Sequence, residues 1–273
     1  MRRKLWDHAI PQPPGSDVRR RGGVVRRCIV CGSRAQLRLG HVIPKWAFNW
    51  HRESWRGKIK GVYLSIGVAI EEQDSNKHYL MCDKCEQLAS KAEEYVRTLV
   101  SGSMSAKRRR KIIILPARWF LHIDVPVISR FVAIVALRCH YARSAPFHNL
   151  SMPRQFRKQL RQKIFGHSNS HTKPWLTAVK VIAPQGDPEH DPRCDITVHF
   201  EFNDILGPVF TALIGGWEWY LWFDPKADWL KGVSLYRSWF VRVELLPYNE
   251  HRNISRMAEM VAPYRGKLKS RLP

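Results

Sequence analysis

Two short cysteine pairs, Cys28-Ile29-Val30-Cys31 and Cys82-Asp83-Lys84-Cys85, constrain this chain more than any other feature. A two-residue spacer lets both thiolates of a pair reach one ion, and two such pairs close a tetrahedral Zn2+ site. Gly32, directly behind the first pair, allows the tight turn that a metal-binding knuckle needs. In a reducing compartment this spacing argues for metal rather than for disulfides. Cys28, Cys31, Cys82 and Cys85 are therefore read as ligands of one structural zinc. Of the six cysteines, Cys139 and Cys194 remain; one ends an apolar run and the other opens a predicted strand, so both are read as packing residues.

Around these pairs the chain divides by composition. Residues 1–25 mix Pro, Gly, Ser and Arg with little to bury and read as a flexible basic arm. Residues 26–100 form the cysteine unit. It closes on an amphipathic helix from Asp83 to Val100, where Leu88, Ala92, Tyr95, Val96 and Leu99 recur at helical spacing. Residues 101–111 read as a linker carrying Lys107, Arg108, Arg109, Arg110 and Lys111. Residues 112–250 begin with a helix from Val127 to Ser144, apolar nearly all round, and a basic helix from Met152 to Phe165. Five runs rich in Val, Ile, Phe and Trp follow, from Leu176, Asp195, Pro208, Trp217 and Ser238, and predict an antiparallel sheet. Gly215-Gly216 predicts a two-residue hairpin turn between two of them. Residues 251–273 read as a basic tail.

Lysine and arginine outnumber aspartate and glutamate 46 to 23, a formal charge of +23. Such a surface attracts polyanions, and nucleic acid is the first candidate, DNA ahead of RNA. Charge names the partner but supplies no chemistry, because phosphate neutralisation alone gives affinity. No apolar run approaches the ~20 residues needed to cross a bilayer, so no membrane role is expected. The basic opening lacks the apolar stretch of a signal peptide before Pro11, and a cytoplasmic location is inferred. A Gly-rich phosphate loop and a Gly-x-Ser-x-Gly elbow are both missing, so ATPase and serine-hydrolase readings have no support. The cluster Trp217, Trp219, Tyr220 and Trp222 suits core packing better than a base-stacking face, and His167 with His171 lies in a loop-like context that does not favour a second metal site.

Two acids follow the last cysteine pair. At about 100° per residue, Glu86, Ser90 and Glu93 share one face of the predicted helix, so both carboxylates point to one place and could hold a hard divalent cation. Between the pairs lies Leu39-Gly40-His41-Val42-Ile43-Pro44-Lys45-Trp46. Residues 26–100 thereby resemble the HNH endonuclease family: a Cys-x-x-Cys pair, a strand bearing a His-hydrophobic-hydrophobic-Pro motif, then a second pair that opens a helix. The text is similar to a subgroup reading His-Ile-Ile-Pro-Lys and then Cys-x-x-Cys-Glu with a second glutamate seven residues on, here Glu86 and Glu93.

The resemblance implies an α+β protein, with an N-terminal zinc-knuckle ββα-metal domain of HNH, treble-clef-like type and a C-terminal helical plus antiparallel-sheet domain. It implies a DNA phosphodiesterase in which His41 is the general base, Glu86 (with Glu93) holds a catalytic Mg2+ or Mn2+, and Lys45 with the basic cluster 107–111 holds the nucleic acid. Phosphodiester hydrolysis needs such a base and charge stabilisation at the scissile phosphate. The chain departs from the family at two places: Gly40 stands where many members carry a carboxylate, and Lys77 stands where the middle asparagine belongs, with Asn76 one residue earlier. A second expectation therefore stands beside the nuclease: a catalytically inactive zinc module that binds DNA or RNA.

Overall fold

The computed structural model describes residues 24–54, 61–65, 68–72, 77–101, 114–115, 119–121, 124–142, 147, 150–165, 175–182, 197–203, 207–224, 240–242 and 244–247. The basic arm up to residue 23, Asn76, the cluster Lys107–Lys111, His167, His171, Cys194 and the tail 251–273 lie outside these residues.

The fold is mixed helix and sheet. Strands β1 (Val25–Arg27), β2 (Arg34–His41) and β5 (Lys77–Cys82) form one antiparallel sheet in the order β1-β2-β5. A hairpin of β3 (Gly61–Ser65) and β4 (Val68–Glu72) lies in the insert, after helix α1 (Lys45–Ser54). β5 runs without a break into helix α2 (Asp83–Val100), so the second cysteine pair straddles the strand-to-helix junction. Cys85, Ala89, Ala92 and Val96 are buried along α2, an i, i+4, i+7, i+11 stripe that lays one face on the core. Asp83 and Glu86 sit in the first turn and Arg97 in the last, each sign where the helix dipole favours it.

Helix α3 (Val125–Tyr141) is the centre of the molecule. Asp124 caps it, its carboxylate accepting from the Val127 amide at 3.1 Å, and Pro126 lies in the first turn, where no amide is needed. Twelve of its 17 residues are buried, so it is covered on every side, as its apolar run predicts. Helix α4 (Arg154–Ile164) packs along it. One cluster of buried side chains runs from Cys28 through α2 and α3 to Phe223.

A five-stranded sheet completes the core, in the order β13 (Glu244–Pro247), β8 (Trp175–Ile182), β11 (Trp217–Trp222), β10 (Gly207–Ile214), β9 (Thr197–Asn203). Three of its four pairings are antiparallel, but β13 runs parallel to β8. The expected final strand is also divided: Phe240–Arg242 (β12) pairs with β7 (Trp119–Leu121), beside β6 (Ile114–Leu115), before the chain reaches β8. A strand that arrives at a sheet edge by a crossover is free of the direction that a hairpin imposes.

Gly215 and Gly216 turn the β10–β11 hairpin at φ +66° and +74°, both positive as a type I′ turn requires. Position 215 also lacks room, since a Cβ there would lie 3.1 Å from Val100 Cγ2 and 3.2 Å from Trp46 Cζ3. Trp217, Trp219 and Trp222 are buried, and Trp219 meets Phe131 of α3 edge to face, so the aromatic run is core. Cys139 is likewise buried in α3. Among the described residues, no helix is long and apolar enough to cross a membrane.

Candidate metal centre

The knuckle is built by backbone. Cys28 N donates to Ser33 O and Gly32 N to Cys28 O, both at 2.9 Å, and Gly32 takes φ +76° to close the turn. The Ile29 amide then reaches Leu80 O at 3.0 Å, which fastens the first pair to the strand that ends in the second. As a result the four sulfurs of Cys28, Cys31, Cys82 and Cys85 all lie within 4.8 Å of one another. Cys31 and Cys82 Sγ are 3.8 Å apart. Tetrahedral zinc with bonds of about 2.3 Å requires a sulfur separation of about 3.8 Å. Four thiols gathered so closely cannot all ionise alone. The hydrogen bond from Cys85 lowers Cys28 to about 4, while its partner Cys85 and, through burial, Cys82 are pushed upward. A divalent ion resolves that conflict by holding every thiolate at once. The donor set and its spacing fit zinc.

Beside this centre the histidine strand meets the helix. His41 ends β2, half-buried, opposite Lys77. Gly40 lies so close to α2 that a Cβ on it would stand 2.5 Å from Glu86 Oε1. His78, opposite Gly40 in β5, is a second imidazole of this region; burial lowers its pKa, so it is neutral at pH 7. Only strand register brings it here, and no local pattern marks it.

Glu86 and Glu93 do converge, as their helical spacing predicts, but around a residue that spacing does not reveal. Arg138 of α3, 3% exposed, donates from Nη1 to Glu93 Oε1 at 2.5 Å and from Nη2 to Glu86 Oε2 at 2.8 Å. Burial opposes its charge, yet Glu93 and then Glu86 outweigh that effect and its pKa is raised. Burial likewise pushes the Glu86 carboxyl up, partly offset by Arg138. One signal in the sequence points to this residue: an arginine set in the most apolar part of a buried helix must find acids there.

The catalytic Mg2+ or Mn2+ expected between these acids would have to share them with Arg138. A divalent ion bridging them would stand beside a guanidinium already bonded to both, at separations where like charges repel strongly in a desolvated site. Lys45, the first residue of α1, is exposed. No family model, curated protein or solved structure matches the chain.

Proposed function

We propose that this chain is a zinc-stapled nucleic-acid-binding protein of HNH-like build, with DNA as its partner and no catalytic cation between Glu86 and Glu93. The observation that carries this choice over cleavage is the bridge from Arg138 to both acids. It gives each acid a buried cationic partner from within the chain. The formal charge of +23 and the exposed Arg26, Arg27, Arg34 and Lys45 around the zinc centre support a polyanionic partner. In this reading zinc is structural, fixing the sheet and α2 that display those cations.

One observation favours a second reading, a DNA endonuclease. Glu86 Oε1 packs on Gly40, immediately before His41, so an acid and an imidazole-bearing strand share one neighbourhood. There His41 would accept the proton of the attacking water.

One set of assays separates the two. Purified protein is titrated with labelled duplex DNA across a salt series, then incubated with plasmid in the presence of Mg2+, Mn2+ or neither, beside His41→Ala. Salt-dependent binding without cleavage under any condition is expected. Cleavage that His41→Ala abolishes would establish the endonuclease and overturn the binding-only reading.

A further inference from the structure

We propose that the phosphate backbone of duplex DNA lies on the outer face of the β1–β2 hairpin, on Arg27 and Arg34; the proposal rests on the nucleic-acid-binding reading above. In the register of these strands Arg27 stands directly opposite Arg34, and Val25 opposite Gln36, one pleat along the same face. All four are exposed. Two like charges placed directly across an antiparallel pair destabilise it, so a fold that keeps them there without compensation has its counter-charge elsewhere.

Among the described residues neither Arg27 nor Arg34 forms an ion pair, whereas other exposed arginines do: Arg38, also on β2, binds Asp83 at 3.0 Å, and Arg97 binds Glu94 at 2.9 Å. The hairpin is thus a place where positive charge is concentrated and left unanswered. Its support is rigid. Ile29, two residues beyond Arg27, accepts a hydrogen bond from Arg161 Nε at 2.8 Å, and Cys28 between them is a zinc ligand in the reading above. That bond also docks α4, which exposes Arg154 and Lys158, against the loop that follows β1. Phosphates spaced along a duplex strand would answer both guanidinium groups and relieve their repulsion, each arginine donating a pair of hydrogen bonds to phosphate oxygens.

The test is a salt series of duplex-DNA affinities for the wild type, for Arg27→Ser/Arg34→Ser, and for Lys91→Ser/Arg97→Ser, a control on exposed α2 positions with the same change in formal charge. The hairpin variant is expected to weaken binding about tenfold or more near physiological salt. Its slope of log K against log salt should fall in magnitude by about 2, and the control's should stay near that of wild type. Melting temperature is read alongside, and the hairpin variant should melt no lower than wild type, because a repulsion has been removed. If wild type binds and the hairpin variant matches the control, the hairpin assignment falls and the binding reading stands. If wild type binds no nucleic acid, both fall. Binding of single-stranded RNA with duplex DNA ignored would overturn the choice of partner made here.

Discussion

Arg138 decides what the acids of α2 can do. Burying a guanidinium is costly, and its attraction to acids offsets that cost only with good geometry on both sides, which Glu86 and Glu93 supply. Removing one member is therefore far worse than removing all three. Arg138→Met leaves two desolvated carboxylates facing each other and is expected to cost about 3–5 kcal/mol of stability in urea unfolding. The triple change Glu86→Gln/Glu93→Gln/Arg138→Met should cost much less. Equal losses would mean that the bridge is not what holds these helices together. The helical spacing that brings Glu86 and Glu93 together was legible in the sequence. Arg138 was not paired with them there, because its partners lie 45 and 52 positions away and periodicity sees only neighbours.

Among elements, α2 was read with its observed limits, since the cysteine pair that opens it marks its start and an apolar stripe fixes its phase. The limits of α3 moved to Val125–Tyr141 because Asp124 caps it early and the chain leaves helical geometry at Ala142. The sheet's antiparallel body was legible from alternating runs; the parallel edge was not, because a crossover leaves no mark in the strand itself. Two expectations belong at this scale. One zinc per chain is expected by elemental analysis, and Cys28→Ser should lose it together with the knuckle that ties β1, β2 and β5 to α2. A zinc-free wild-type protein with an unchanged melting temperature would refute this. The second concerns Lys163, buried near the end of α4 and lowered by burial from 10.5 to about 8. The folded state loses this proton first, so between about pH 8 and 10.5 the unfolded chain binds more protons and stability rises with pH. Over that window the wild type should gain more stability with rising pH than Lys163→Met does, in matched urea titrations.

For the whole molecule, one shared core matters more than the composition breaks. Trp46 of α1 stacks on Phe131 with centroids 6.4 Å apart, Tyr95 of α2 accepts from the Asp124 amide at 2.7 Å, and Gly215 sits against Val100 and Trp46. Residues 26–100 expressed alone would expose the apolar side chains that α3 and the β10–β11 hairpin cover. Even with zinc bound, that fragment is expected to show lost near-ultraviolet dichroism and to bind hydrophobic dye, while the full chain unfolds in one transition. A fragment as ordered as it is within the full chain would show that the cysteine unit stands by itself.

The acid pair's counter-ion is covalently part of the chain. Its local concentration is set by the fold rather than by the medium, and no dissociation constant governs whether it is present. Magnesium in a cell rises and falls, whereas this arginine stays beside its two carboxylates wherever the protein is folded.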